Sequence, residues 1–390
     1  MSWKKHFHKY NNRRAHFIIG ASGFVILGFA FFVFHHTSIG GFGIKPDVAE
    51  SSEIVISEPP KPKHISTPES VKAIYMTSWV AGTKDWRKEL VEFIKKSEIN
   101  SIIIDVKDYT GRVAFATGDK EIEMVGSEEI RVRDLKDFIE TLHDAEIYTI
   151  ARITVFQDPY YAKKHPEIAV QKKNGTIWKD RKGLSYMDPA ARPFWDYIIK
   201  IAKSSEQVGF DELNFDYIRF PSDGNMSDIV FPVAGKRKKV EVLSEFFAYL
   251  NRHLEETNVP ISADVFGMTT TNYDDLNIGQ VLEAIEPHFD YIAPMVYPSH
   301  YPPGFQNYKN PAAHPYEIIH YAMTKGVERM IKASSTPSKL RPWLQDFDLG
   351  AEYDAAKIRA QIQATYDSGL NSWMIWDPSN KYTRGAYELE

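Results

Sequence analysis

The sequence contains no cysteine among its 390 residues. Disulfide bonds, zinc–thiolate sites and thiol nucleophiles are therefore excluded. Its 13 histidines show no HExxH or comparable ligand spacing, so we expect no catalytic metal and no other cofactor. A G-x-S-x-G nucleophile turn is also missing, which together with the missing metal pattern disfavours a deacetylase or an esterase. The net charge of −5 includes no basic excess, so nucleic acid is not an expected partner.

Charged residues are also missing from residues 17–34, a mostly apolar stretch of 18 residues. At about 1.5 Å per residue, a helix of this length spans about 27 Å, close to the thickness of a bilayer core. Five cations precede it: Lys4, Lys5, Lys9, Arg13 and Arg14. They indicate that residues 1–16 stay cytoplasmic and that the C-terminal domain lies outside the cell membrane. We expect an uncleaved, single-pass signal anchor; a cleaved signal peptide is the alternative.

Large apolar side chains are scarce in residues 35–70. Three glycines, at positions 40, 41 and 43, are followed by the stretch SEPPKPKHISTPES. Pro, Ser, Lys and Glu dominate there, a composition typical of a tether without a core of its own. We therefore predict a linker over residues 35–70 and a folded domain over residues 71–390.

Strand and helix patterns alternate from residue 71 onwards. The predicted strands cover residues 72–79, 101–108, 147–156, 211–220, 261–267, 289–298, 340–347 and 370–378. The predicted helices between them cover residues 86–98, 132–146, 192–207, 241–256, 278–287, 315–327 and 355–369. An Asn174–Gly175 turn after the third strand predicts a small hairpin. This α/β order predicts a (β/α)8 TIM barrel, with a doubly wound open sheet as the alternative.

Several predicted strands end in polar or aromatic side chains. Singly, each fits a structural ion pair or a turn, but in a barrel the C-terminal ends of the strands carry the active site. The candidate substrate-binding residues at these ends are Asp105, Lys107, Arg152, Asn214, Arg219, Tyr297, Gln345, Trp376 and Asp377. The candidate catalytic residues are Asp216, Asp264 and Asp346.

Alternation along a strand places Asn214 and Asp216 on one face of the fourth strand, and it places Ser262, Asp264 and Phe266 on one face of the fifth. If both aspartates point inward, their carboxyl groups face one cleft. Glycoside hydrolysis uses two carboxyl groups, one on each side of the bond that is cleaved. One protonates the leaving oxygen, and the other attacks carbon or activates water. Arg219 points away from Asp216 on an ideal strand; a bulge or a strand end is needed to bring it to that carboxylate.

Seven segments together resemble a known bacterial family. They read DVKDYTGRVAF, ARITVFQDP, NFDYIRFPSDG, SADVFG, IAPMVYPSHYPPGF, RPWLQDF and WMIWDPSNKYT. Over about residues 72–382 they are similar to the "putative glycosyl hydrolase domain" family of envelope and secreted proteins. The resemblance implies a TIM barrel of glycosidase ancestry, without specifying a substrate.

Two better-known relatives bear on the roles of the carboxyl groups. In the alpha-amylase family an Asp at the end of strand four is the nucleophile and a Glu on strand five is the proton donor, positions that resemble those of Asp216 and Asp264. The DxxDxDxE strand of chitinases resembles Asp211, Asn214 and Asp216, but its final acid falls on Ile218. Isoleucine donates no proton, so the chitinase mechanism does not fit, and Asp346 competes with Asp264 for the role of acid.

These observations predict a membrane-anchored glycoside hydrolase that acts on an envelope or extracellular polysaccharide. The alternative is a barrel without catalytic activity that binds glycan as an envelope scaffold or assembly factor. The carboxyl groups favour the enzyme, while the missing chitinase acid leaves room for the binding protein. The stereochemical outcome, retention or inversion, stays open.

Overall fold

The structure, a computed structural model, describes residues 62–388. The predicted anchor, the basic segment before it and residues 35–61 of the predicted linker lie outside the described residues. Within residues 62–388, no helix combines the length and the apolar composition that a membrane crossing requires.

Eight parallel strands close into a barrel. In chain order they are β1 Lys72–Met76, β2 Ser101–Lys107, β3 Tyr148–Thr154, β4 Glu212–Asp216, β5 Ile261–Phe266, β6 Tyr291–Met295, β7 Trp343–Gln345 and β8 Trp373–Trp376. Each strand pairs with its neighbours in the sequence, and β1 pairs with β8 to complete the ring. The closed ring confirms the predicted barrel and rules out the open sheet.

Helices surround the strands. Those in the described chain are α1 Ser78–Ala81, α2 Lys84–Ile94, α3 Lys120–Val125, α4 Leu135–Asp144, α5 Pro159–Lys164, α6 Arg192–Gln207, α7 Lys239–Leu254, α8 Leu282–Ile285, α9 Pro315–Lys332 and α10 Ala355–Asp367. In α4 the buried side chains recur at helical spacing, at Leu135, Phe138, Ile139 and Leu142, so one stripe faces the barrel. Of the predicted helix 278–287, only Leu282–Ile285 is α-helical, and a 3-10 turn that contains Pro287 follows it at Glu286–His288.

The barrel has two apolar layers because side chains alternate along each strand. Leu213 and Phe215 of β4 point outward and join the large core between strands and helices. Tyr75, Tyr148 and Ile150 belong to a smaller core within the ring. The polar side chains of the upper interior are thus the exception in an apolar structure.

The opposite end of the barrel is closed by a buried polar layer and by the chain that precedes β1. Arg341 donates to Glu212 (2.7 Å), and the Tyr148 hydroxyl donates to the same carboxylate (3.1 Å). The backbone N–H of Ile65 donates to Asp211 at 2.9 Å. Part of the segment that the sequence assigns to the linker therefore contacts the base of the barrel.

The hairpin after β3 is present as predicted. Lys172 N–H donates to the Thr176 carbonyl (2.7 Å), and Trp178 N–H donates to the Val170 carbonyl (2.9 Å). Gly175 has a φ of 82°, a conformation that glycine adopts without steric cost. Gln171–Lys172 also pairs with Ile229–Val230 in a two-stranded antiparallel sheet, which joins the loops after β3 and β4.

Candidate active site

Arg152, in the interior of β3, joins three carboxyl groups from three other strands. Its Nη1 donates to Asp105 of β2 (2.6 Å), and its Nη2 donates to Asp216 at the end of β4. Its Nε lies 3.5 Å from Oδ2 of Asp264 on β5. Burial opposes the charge of Arg152, yet Asp216 and Asp105 raise the pKa of its guanidinium well above the usual value. Asp216 and Asp264 therefore face one common partner.

Asp264 is buried with hydrogen-bond donors on one of its oxygens only. Its Oδ1 accepts from the side-chain amide of Asn214 (2.9 Å) and from the indole N–H of Trp343 (2.8 Å). Burial, and next the negative charge of Asp216, raise the pKa of Asp264 to about 7, while Arg152 opposes the rise. At neutral pH this carboxyl group is therefore balanced between its acid and its ionised form.

Asp216 is the last residue of β4, and the chain turns sharply after it. Tyr217 has a φ of 54°, which is uncommon for a residue with a bulky side chain. Its N–H donates to the Asp216 carboxylate, which helps to hold this conformation. The turn takes the Tyr217 ring out of the barrel wall and into the lining of a cleft.

The cleft has a volume of about 770 Å³ and lies at the C-terminal ends of the strands, on the β4–β8 side. Asp216 and Asp264 are on its floor, and its walls are largely aromatic. Burial, followed by the charges of Asp264 and Asp216, raises the pKa of Tyr297 well above its usual value, so its hydroxyl stays protonated. A cleft with apolar walls and a few convergent polar groups is typical of a ligand site.

A second cavity, of about 890 Å³, adjoins the cleft on the β1–β3 side. Arg152, Tyr217 and Trp376 line both cavities. Asp105 lines the second cavity, where the Tyr75 hydroxyl donates to it. Burial raises the pKa of Asp105, although Arg152 and Tyr75 counteract the rise.

Arg219 lines the cleft but does not contact Asp216. Its Nη1 donates to the Phe220 carbonyl (3.1 Å) and to the Ser222 hydroxyl (3.2 Å). Its guanidinium lies 4.8 Å from the centre of the Phe266 ring. The suggestion that a strand end brings Arg219 to Asp216 is wrong: β4 does end at Asp216, but Arg152 of the neighbouring strand is the arginine that bonds this carboxylate.

Lys107 is buried outside the ring of strands and lines neither cavity. A bulge in β2 shifts its register, so that Asp105 pairs with Arg152 whereas Lys107 pairs with Ile153. The side chain is thereby turned outward, where its Nζ forms an ion pair with Asp158 at 2.9 Å. It also donates to the Thr154 carbonyl (2.6 Å). The predicted substrate contact of Lys107 therefore does not fit its position.

Asp346 also lies on the outer side of the barrel. It accepts hydrogen bonds from the N–H and the hydroxyl of Thr383 (2.9 and 2.7 Å) and from the Tyr387 hydroxyl (2.9 Å). These hydrogen bonds hold the C-terminal segment against the barrel. The carboxylate lines neither cavity. Its predicted competition with Asp264 for the role of acid does not fit this placement.

Three more candidates support the site from behind rather than line it. Asn214 orients Asp264, as described above. The side-chain carbonyl of Gln345 accepts from the Ser299 hydroxyl (2.8 Å), and Asp377 accepts from the Ser379 hydroxyl (2.6 Å) in the turn after β8. Arg152, Arg219, Tyr297 and Trp376 line the cleft, and their contact with substrate stays a prediction.

Sequence reasoning missed the aromatic partners of the carboxyl groups. Tyr75 bonds Asp105, and Trp343 bonds Asp264. Each lies in a predicted strand, where an aromatic residue usually belongs to the core, and neither was among the candidate site residues. Trp343 stands two positions before Gln345, hence on the same face of β7, and that spacing was the available signal. In the described part of the chain, no cluster of three or more His, Asp or Glu side chains could hold a metal ion.

The fold and this carboxyl cluster define a parallel (β/α)8 barrel with its candidate site at the C-terminal mouth. Residues 73–382 match a family model described as "putative glycosyl hydrolase domain". The chain therefore belongs to this glycosyl hydrolase family, which confirms the resemblance seen in the sequence. No protein with a curated description matches the chain in sequence.

Solved structures from two bacteria share the fold of this chain, and a third structure is similar in sequence. The glycoside hydrolase domain of PgaB (BpsB) from Bordetella bronchiseptica is 12% identical, with 83% of this chain and 100% of that chain covered and a TM-score of 0.55. Alpha-L-fucosidase isoenzyme 2 from Paenibacillus thiaminolyticus is 13% identical, with coverages of 82% and 48% and a TM-score of 0.55. A hypothetical protein from Ruminiclostridium thermocellum ATCC 27405 is 35% identical over 49% of this chain and 97% of that chain, with a TM-score of 0.45. At such low identity the first two show a common fold only.

Proposed function

We propose that this protein cleaves glycosidic bonds in an envelope or extracellular polysaccharide, with Asp216 and Asp264 as the reacting carboxyl groups. The observation that carries the proposal is the pair itself: two inward carboxyl groups on neighbouring strands share Arg152 on the floor of an aromatic cleft. Glycoside hydrolysis needs one group that donates a proton and one that attacks carbon or activates water.

Asp264 takes the role of acid in this mechanism. Its Oδ1 is occupied by the two donors Asn214 and Trp343, so its Oδ2 is the oxygen that carries the proton. A pKa of about 7 lets a large fraction of the molecules hold that proton near neutral pH. As the glycosidic oxygen leaves, the proton passes to it, and Asp264 becomes a carboxylate beside Arg152.

Asp216 takes the other role, as nucleophile or as the base that activates water. Arg152 and the Tyr217 N–H fix the position of its carboxylate at the C-terminal end of β4. Fixing a reacting group in this way removes part of the entropic cost of the reaction. Tyr297 and Trp376 offer aromatic surface to the apolar faces of a sugar ring on the same floor.

We also propose that residues 17–34 anchor the domain in the cell membrane with the barrel outside. The support is the uncharged apolar stretch and the five cations before it. An anchored hydrolase would act on polymers at the cell surface, which agrees with the polysaccharide substrate proposed above.

The test compares the full-length wild-type protein with Asp216→Asn in detergent. Peptidoglycan, chitosan, alginate, carboxymethylcellulose and soluble starch serve as substrates, and new reducing ends are measured. We expect the wild type to release reducing ends from at least one polymer, and Asp216→Asn to lose roughly 10³-fold or more in kcat.

Glu212→Gln is the matched control for this experiment. Glu212 lies on the same face of the same strand and also pairs with an arginine, Arg341, but at the closed end of the barrel. We expect it to lower the melting temperature and to keep turnover. Retention of a polymer without any cleavage by the wild type would instead identify a glycan-binding barrel.

A further inference from the structure

The mouth of the barrel holds two cavities, of which the proposed chemistry uses one. The cleft over β4–β8 contains the Asp216–Asp264 pair, and the second cavity lies over the ends of β1, β2 and β3. Each volume alone, about 770 and 890 Å³, falls within the roughly 300–1,000 Å³ that a complete small ligand fills. One sugar unit at the carboxyl pair therefore leaves the second cavity unexplained.

The two cavities adjoin each other at the reacting groups. Arg152, which bonds Asp216, lines both, and so do the rings of Tyr217 and Trp376. A chain bound in the cleft can therefore extend past Asp216 into the second cavity without leaving the mouth of the barrel. The reacting carboxyl groups thus lie partway along a groove rather than at the bottom of a dead-end pocket.

Trp79 gives the second cavity an aromatic surface that is held in place. It follows β1 in α1, and its side chain is 61% exposed, an unusual state for a large apolar ring. The Arg131 guanidinium lies 4.4 Å from the ring centre. Arg131 is itself fixed, since it donates to Asp108, to Glu129 (3.1 Å) and to the Ser78 hydroxyl (2.9 Å).

Tyr109 and Tyr160 extend this surface. Tyr109 follows β2 and is 54% exposed, and Tyr160 lies on α5 with the Arg112 guanidinium 4.3 Å from its ring centre. All three aromatic side chains line the same cavity. Rings backed by ion-paired arginines lose little side-chain entropy when a ligand stacks on them.

We propose that the second cavity is a set of sugar-binding subsites, led by Trp79, that holds the polysaccharide beyond the scissile bond. This inference rests on the proposed hydrolase function. A chain bound on both sides of the carboxyl pair is cut in its interior, so the protein is an endo-acting hydrolase whose rate rises with the length of the substrate.

The experiment measures chain-length dependence in the full-length protein. From the polymer that the wild type cuts in the panel above, oligosaccharides of two and six sugars are prepared and labelled at the reducing end. We expect Trp79→Ala to lower kcat/KM for the six-sugar substrate roughly 3- to 10-fold more than for the two-sugar substrate. Trp79→Phe should restore much of the dependence on length, since it keeps an aromatic ring.

Tyr273→Ala is the matched control. Tyr273 is 66% exposed and has the Arg329 guanidinium 4.4 Å from its ring centre, yet it lines neither cavity. Its removal should leave the ratio of the two kcat/KM values at the wild-type level.

On the intact polymer, wild-type cleavage should reduce viscosity well before many reducing ends have appeared.

Two results would overturn the inference while the hydrolase function stands. One is the release of single sugars from chain ends from the first minutes of the reaction. The other is a Trp79→Ala variant with the same ratio of kcat/KM values as the wild type.

Electrophoresis of Asp216→Asn in gels that contain each polymer of the panel measures binding without turnover. The polymer should retard the migration of this variant, and the added change Trp79→Ala should weaken the retardation.

Discussion

Arg152 determines the electrostatics of the candidate site at the scale of single residues. One guanidinium lies against Asp105 and Asp216 and near Asp264, so a single positive charge is shared by three buried carboxyl groups. One positive charge cannot balance three negative ones, and the most deeply buried group is the one that retains its proton most readily. In the proposed mechanism, this asymmetry lets Asp264 hold the proton that the leaving oxygen needs.

The raised pKa of Asp264 predicts how stability depends on pH. In the unfolded chain its carboxyl group ionises near the usual value of about 3.9, and in the folded protein near 7. Between these two pH values the folded state binds a proton that the unfolded state has lost. The contribution of this group to the free energy of unfolding is therefore complete below about pH 4 and is lost as the pH rises towards 7. Asp264→Asn removes this penalty, so we expect it to raise the melting temperature at pH 8 and to change it little at pH 4.

The size of this effect follows from the pKa difference, at about 1.4 kcal/mol in the free energy of unfolding per pKa unit. Calorimetry of the wild type and Asp264→Asn across pH 4–8 measures it, with Glu212→Gln as the control that loses stability throughout. A constant difference between the wild type and Asp264→Asn over this range would show that the proton of Asp264 is not linked to folding.

At the scale of elements, the sequence predicted strands and helices well where the periodicity was regular. All eight strands form where the alternation indicated, and α6 has its predicted bounds, 192–207. Alternation also placed Asn214 and Asp216 on one face of their strand, and in the structure this face is the inward one. It failed at Lys107, because a bulge changes the face of a side chain without leaving a mark in the spacing of apolar residues.

Partners between distant strands could not be predicted for a different reason. Arg152 and Asp216 are separated by 64 residues, and only the register of the closed sheet brings them together. Asp346 was assigned to the site because it lies at the end of the predicted strand 340–347, but its side chain points towards a C-terminal segment whose course the strand pattern does not describe. Closure and register, rather than local periodicity, determine these contacts.

The outward position of Lys107 predicts a structural role. Both Lys107 and Asp158 are completely buried, so Lys107→Met leaves an unpaired negative charge in the interior. We expect the free energy of unfolding to fall by about 3–5 kcal/mol. Urea denaturation measures the change, and the protein that remains folded should retain the kcat of the wild type.

Lys325→Met is the control for this loss, since Lys325 pairs with Glu328 on the surface of α9. Exposed pairs of this kind contribute at most about 0.5 kcal/mol. Equal effects of the two variants on stability would contradict the structural role of the buried ion pair. A selective loss of kcat in Lys107→Met would show that Lys107 contributes to the active site.

At the scale of the whole molecule, the barrel is closed at one end and open at the other. The polar layer around Glu212 and Arg341, with residues 62–70 beneath it, fills the base. The mouth is lined by carboxyl groups and aromatic rings from every side of the ring. Such a division, stability at the base and chemistry at the mouth, is the usual arrangement in this fold.

The proposed anchor predicts the orientation of the whole chain in the cell. Tags placed at the two ends should lie on opposite sides of the membrane, with the C-terminal tag outside, because cationic flanks remain in the cytoplasm. Protease added to intact cells or spheroplasts should digest the barrel and leave an N-terminal tag protected. Complete protection of the C-terminal tag would contradict the orientation.

The most direct test of the proposed chemistry is to measure how the activity of Asp264→Ala depends on the leaving group of the substrate. Natural glycosides need a proton on the departing oxygen, whereas aryl glycosides with acidic leaving groups depart without one. With the sugar identified by the polymer panel, kcat/KM is measured for both kinds of substrate. The account predicts a loss of roughly 10²–10⁴-fold on the natural glycoside and a much smaller loss on the aryl glycoside. An equal loss on both substrates, or the selective pattern in Asp346→Ala instead, would contradict the assignment of Asp264 as the acid.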